Sequence, residues 1–140
     1  MRILVDTNVV LDVLLNREPH VSASAEVLSR VERGSVSGWL CATTITTLSY
    51  LLTKAAGPKK ALADIRQLLS LFEIAPVNRP VLEAALALGF DDFEDGVLHE
   101  AARQIDAHAI VTRNGGDFEQ ADLPVYTPEE FVEILDLQAG

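Results

Sequence analysis

The chain has one cysteine, Cys41, in 140 residues, so no disulfide can form within it. That sparse usage makes the cytoplasm the default compartment. No apolar run approaches the roughly 18 residues needed to span a bilayer, which excludes a membrane partner of the helical kind. The apolar opening, "MRILVDTNVVLDVLL", is interrupted by Asp6 and Asp12 and leads to no small-residue cleavage site, which argues against a signal peptide. Histidine is scarce and scattered at 20, 99 and 108, so no Cys/His cluster exists to select zinc. Basic residues are also in deficit. The net charge is −10, from 11 Lys/Arg against 21 Asp/Glu, and taken alone this argues against a nucleic-acid partner. The deficit is uneven: residues 1–70 carry +2 and residues 71–140 carry −12. No lysine follows Lys60, and no acid lies between Glu32 and Asp64.

What is present is an ordinary globular composition, 49% apolar and 23% charged, of a length that suits one domain over residues 1–140. Short β-branched or apolar runs predict strands at "ILVDT" (3–7), "GWLCA" (38–42), "EIAPV" (73–77), "HAIVT" (108–112) and "PVYT" (124–127). Between them lie helical patterns. "NVVLDVLLNREPH" reads as a short helix or turn broken by Pro19, and "VSASAEVLSRVERG" as a helix stopped at Gly34. "TTITTLSYLLTKAAG" carries a threonine at its start and ends at Gly57; "PKKALADIRQLLSLF" follows with Pro58 in its first turn. "RPVLEAALAL" (79–88) and "EDGVLHEAARQIDA" are the next two. The last helix, "PEEFVEIL", opens on a capping box formed by Thr127 and Glu130, with Pro128 between them. Strands alternating with helices predict an α/β domain, a three-layer α/β/α sandwich around a mainly parallel sheet of about five strands.

The acids concentrate where such a sheet does chemistry, at the carboxyl ends of its strands. Asp6 follows the first strand. Asp117 follows the strand in "AIVTRNGGD". Asp92 and Asp95 stand in "FDDFEDG" (90–96), at the start of the helix leading into that strand. Three segments therefore deliver carboxylates to one edge. Clustered carboxylates repel unless protons or cations neutralise them, and an all-oxygen set favours a hard ion, Mg²⁺ or Mn²⁺. Asp91 and Glu94 read as solvated charges, Asp12 as a cap or solvent-facing residue, and His99 as a structural histidine. Trp39 and Cys41 read as packing residues. Lys54, Lys59 and Lys60 read as a solvated helix end that is also the densest basic patch for RNA.

The pieces "LVDTNVVLD", "DFEDGVLHEAA", "AIVTRNGGDF" and "TPEEFVEIL", in this order and spacing, resemble the PIN-domain family of metal-dependent ribonucleases, which includes VapC-type toxins. The resemblance covers nearly the whole chain. It implies Asp6, Asp95 and Asp117 as catalytic metal ligands, Asp92 as a further acid at the metal, and Asn8, Thr47 and Asn114 as groups around them. It implies phosphodiester hydrolysis of RNA, with Arg113 and Lys54 meeting the substrate and a small antitoxin protein as possible partner. One departure stands out. The family's usual glutamate near the start of the helix after the second strand falls on Thr47, so Asp92 is expected to substitute for it.

Two rival readings follow from the same residues. A haloacid-dehalogenase or receiver-type phosphoryl-transfer protein also places Asp at strand ends. Against it, Asn8 replaces the second aspartate of the first type, and the late lysine of the second is missing. A PIN-like binding module with weakened catalysis is the other, and Thr47 supports it. The apolar content of "ITTLSYLL" and "IRQLLSLF", within residues 44–72, further predicts a homodimer or a partner seated on these helices.

Overall fold

The computed structural model describes residues 1–119 and 121–139. Five strands form one sheet: β1 (Arg2–Val5), β2 (Ser37–Cys41), β3 (Glu73–Ala75), β4 (Ala109–Val111) and β5 (Val125–Tyr126). Their order across the sheet is β3-β2-β1-β4-β5, and every pairing is parallel. The chain therefore winds outward from β1 to β3, then returns to the other side of β1. The reversal falls between β1 and β4, where Val5 pairs with Val111.

Among the described residues, seven helices flank the sheet: α1 (Thr7–Leu14), α2 (Val21–Glu32), α3 (Ala42–Ala56), α4 (Pro58–Leu71), α5 (Arg79–Leu88), α6 (Phe93–Gln104) and α7 (Pro128–Ala139). A strand exposes alternate residues to opposite faces. In β1, Ile3 and Val5 enter one core with Val9, Val27, Leu48, Leu52 and Phe131, from α1, α2, α3 and α7. Leu4, between them, enters the other core with Ala85, Val97, Leu98 and Ala101 of α5 and α6. All three β1 residues are fully buried. At about 1.5–3 kcal/mol per buried aliphatic side chain, this strand anchors both layers. The expected α/β/α sandwich with a parallel sheet of five strands is what the chain forms.

Each expected strand coincides with an observed one, but the structure trims their ends. Thr7 opens α1 rather than closing β1, and Ala42 opens α3. The expected threonine cap of α3 is replaced by Cys41, which is extended and makes no side-chain cap bond. Thr44 instead turns into the fold and accepts from the Thr7 hydroxyl at 3.3 Å. α1 ends at Leu14, ahead of Pro19, because Asn16 adopts a left-handed φ of 52°, a conformation asparagine tolerates. The capping box forms as expected. The Thr127 N–H donates to Glu130 Oε1 at 2.8 Å and the Glu130 N–H to Thr127 Oγ1 at 3.1 Å. The helix it starts runs on to Ala139, beyond the expected 128–135. No helix among the described residues is long and apolar enough to cross a membrane.

Gly38 marks the tightest approach to β2. A Cβ there would lie 2.7 Å from both Val31 methyls and 2.9 Å from Phe72 Cδ1. Gly38→Ala is expected to cost about 1–3 kcal/mol by overpacking. A urea unfolding midpoint unchanged from wild type would show that this layer has slack.

Candidate acidic site at the carboxyl edge of the sheet

The site begins where β1 runs out. Asp6 is extended and caps α1, its Oδ1 accepting from the Thr7 N–H at 2.7 Å. Its backbone N–H reaches across to the Val111 carbonyl at 2.9 Å, which fixes it beside β4. Oδ2 accepts from Thr112 Oγ1 at 2.8 Å and from Asn8 Nδ2 at 3.3 Å. Asn8 in turn accepts the Arg113 N–H through Oδ1 at 3.2 Å. The carboxylate of Asp6 is thus held at the reversal point of the sheet by groups from both central strands. Its pKa is raised, first by burial and further by the charges of Glu94 and Asp117, while Thr112 and Thr7 oppose the shift by donating hydrogen bonds.

A second arm comes from the start of α6. Asp92 is the N-cap, accepting the Glu94 N–H through Oδ1 at 2.8 Å. Asp95, in the first turn, has its pKa pushed up to about 7, by burial first and then by Asp92, Asp6, Asp117 and Glu94. The positive end of the helix favours the anion here, yet burial and then four neighbouring carboxylates outweigh it. Glu94 is exposed, as expected of a solvated charge. It accepts from Thr47 Oγ1 at 3.4 Å, across from α3. Asp117 completes the set from a 3₁₀ turn, Gly115–Phe118, held to Asn114 by a 3.0 Å backbone hydrogen bond. Asn114 itself donates its N–H to Thr112 Oγ1 at 3.1 Å. A cavity of about 110 Å³ beside this edge is lined by Phe90, Asp91, Asp92, Gly116, Asp117 and Glu119.

The structure therefore gathers Asp6, Asp92, Asp95 and Asp117 into one electrostatic neighbourhood, and adds the solvent-exposed Glu94. The missed signal is the position of Glu94 opposite Thr47, which no one-dimensional spacing reveals. Among the described residues, none of these five acids is bridged to a Lys, Arg or His. Nor, among the described residues, do three His, Cys, Asp or Glu side chains converge as a ready metal cage. The donor chemistry, all oxygen with surplus negative charge, fits a hard divalent ion.

The two residues expected at the substrate make contacts of their own with the rest of the chain. Lys54 is exposed on α3 with Nζ 4.8 Å from the Tyr50 ring centroid, and Arg113 directs its Nε to Asp12. Asp12, expected to cap or face solvent, is fully buried because Arg17 and Arg113 neutralise it. His99 is structural, as expected. Its Nε2 accepts the Asp122 N–H at 3.0 Å, its ring lies 5.4 Å from that of Phe90, and burial lowers its pKa. Cys41 is buried, and Trp39 packs against the second core while donating to Ser37.

The fold and site define a parallel α/β/α domain that brings carboxylates to the carboxyl end of its central strands. The chain belongs to the PIN-domain family: the family's profile, described as "PIN domain", matches residues 2–115. It is 28% identical to Ribonuclease VapC1 of Aquifex aeolicus (strain VF5) over 137 residues, 94% of each chain. Among solved structures it is similar to FitAcB from Neisseria gonorrhoeae, with a TM-score of 0.71 and 25% identity over 91% of this chain and 98% of that one. It is also similar to a chain of a toxin–antitoxin complex from Klebsiella pneumoniae, with a TM-score of 0.68 and 21% identity over 89% and 96%; at that identity the likeness is one of fold. The family match displaces the haloacid-dehalogenase and receiver readings.

Asp95 supplies a pH test. Its folded pKa, about 7, lies above its ordinary 3.8, so the folded state holds the proton more tightly. The resulting stabilisation is complete below pH 4 and is lost as pH rises through 7. In metal-free protein, Asp95→Asn is expected to match wild type in Tm near pH 4 and to exceed it at pH 8, by about 2–8 °C for each kcal/mol recovered. A Tm difference that stays flat from pH 4 to 8 would remove the charge crowding at Asp95.

Proposed function

We propose that the protein is an endoribonuclease dependent on Mg²⁺ or Mn²⁺, acting in the cytoplasm as the toxin of a toxin–antitoxin pair. The observation that carries this reading is the group of five carboxylates at the sheet's reversal point with no cationic side chain bridged to them among the described residues. Such a group is unfavourable by itself and is relieved by a divalent ion. The similarity to a protein named as a ribonuclease supports RNA as substrate.

In this reading Asp6, Asp95 and Asp117 hold the ion. When bound, the ion supplies an activated water and offsets the charge that builds on the scissile phosphate. Thr112 and Asn8 set the rotamer of Asp6 through their hydrogen bonds to Oδ2. Thr47 orients Glu94 from the opposite helix, and Glu94 rather than Asp92 makes up for the family's missing glutamate. Asp92 is already engaged as the cap of α6. Lys54 and the exposed Tyr50 ring beside it offer RNA a cation and a stacking surface one to two turns along α3 from Thr47.

Tyr50, Leu62 and Leu69 leave apolar area exposed on α3 and α4, which supports a homodimer or an antitoxin seated there. The similarity in fold to a chain from a toxin–antitoxin complex supports the partner. A second reading, a PIN-like module that binds RNA or protein with weakened catalysis, is favoured by Thr47 standing at the glutamate position and by the lack of a preformed cage among the described residues.

Two experiments separate these readings. With Mn²⁺ present, wild type is expected to cleave single-stranded RNA, and Asp6→Asn to lose at least about a hundredfold of that rate, of the order seen on removing a key electrostatic group. Wild type that binds RNA without cutting it would favour the binding module. For the fourth acid, Glu94→Gln is expected to weaken Mn²⁺ binding about tenfold or more, and Asp92→Asn much less, since asparagine caps a helix as well as aspartate does. Calorimetric titration giving the reverse order would return the compensating role to Asp92.

A further inference from the structure

Asp12 lies on α1, outside the acidic cleft, and is completely buried. A carboxylate in that position is costly unless it is paired and hydrogen-bonded. Here it is both. Oδ1 accepts from Arg17, with Nε and Nη2 each at 3.0 Å. Oδ2 accepts from Ser24 Oγ at 3.4 Å and from Arg113 Nε. Arg17 and Ser24 are near in sequence. Arg113 is not: it stands between Thr112, which holds Asp6, and Asn114, which holds the turn bearing Asp117.

Arg113 is gripped twice by the same helix. Its backbone N–H donates to Asn8 Oδ1 at 3.2 Å, and its guanidinium reaches Asp12. Asn8 and Asp12 are four residues apart, hence neighbours on one face of α1. One clamps the main chain of residue 113 and the other its side chain, so both the position and the direction of the strand-to-turn junction are set from α1. Stability alone does not call for an ion pair here, because well-packed apolar groups serve a buried position as well or better. Placement does call for it.

We propose that Asp12 is a positioning residue for the acidic site: with Asn8 it clamps Arg113 to α1 and so holds the 112–117 segment that presents Asp117. The effect on ion binding rests on the nuclease reading above; the clamp itself rests on the contacts of Asp12, Asn8 and Arg113.

The test uses the full chain, free of metal, with hydrogen exchange read segment by segment, and then Mn²⁺ titration. In Asp12→Asn, amides of residues 112–118 are expected to exchange about tenfold faster while those of β1 and β2 stay unchanged, as for a local opening rather than global unfolding. Mn²⁺ affinity should fall about tenfold, in the range seen when a supporting group of a metal site is lost. Arg17→Gln, which removes contacts to Asp12 and to the Asn8 backbone but leaves both bonds from Arg113 to α1 in place, should move both readouts less than Arg113→Gln does. Arg113→Gln breaks the clamp while Arg17 still neutralises Asp12, so it should repeat the Asp12→Asn result even if that variant folds poorly. Unchanged exchange at 112–118 in Arg113→Gln, or faster exchange spread evenly over the sheet, would overturn the proposal. Wild type that neither binds Mn²⁺ nor cuts RNA would sink the nuclease reading, and the exchange pattern would still decide the clamp.

Discussion

The hydrogen bond from Thr112 Oγ1 to Asp6 Oδ2, at 2.8 Å, joins the ends of the two central strands at the point where the chain reverses across the sheet. The rest of the site is arranged around it. Asp6 must sit at that edge with its charge partly shielded, and a parallel sheet provides the edge because all five strands end on the same side. The bond matters more than a typical surface contact. Asp6 is only 9% exposed, and each donor it accepts offsets part of the cost of burying its charge.

Electrostatic strain is the second organising feature. Burial, together with the neighbouring carboxylates, raises the proton affinity of Asp6 and Asp95 at this edge, Asp95 most visibly. A protein stabilised only by its own contacts would have no reason to assemble them. The stable parts of the molecule lie elsewhere, in the two apolar cores on either face of the sheet and in the buried Asp12 with its arginines. The scaffold therefore carries the unfavourable charge of the edge, and an ion bound there would recover it. This division is a common one at functional sites, where local unfavourable energy persists because the surroundings over-determine the geometry.

Acid distribution along the chain follows the same logic. Residues 71–140 carry −12 while residues 1–70 carry +2, so the negative charge lies in the second half. The only lysines, Lys54, Lys59 and Lys60, lie at the junction of α3 and α4. In the proposed reading, an RNA strand approaching the acidic edge would meet Lys54 and the exposed Tyr50 ring on α3.

The sequence by itself determined the strand–helix alternation, the parallel sheet and the candidacy of Asp6, Asp92, Asp95 and Asp117. These are legible because burial imposes short apolar runs on strands and helical spacing on helices, and because an aspartate directly after a buried strand falls at the sheet's carboxyl edge. Strand ends were less legible: Thr7 and Ala42 belong to helices, since the helix begins as soon as a preceding extended residue caps it. What only the tertiary structure decided is which distant groups meet. Glu94, exposed as expected, meets Thr47 of α3 at 3.4 Å, and Asp12, expected as a cap or solvent-facing residue, is closed over by Arg113. Periodicity reports which face of an element is buried; it carries no information on which partner from another element lies against that face, because that is set by how the layers pack.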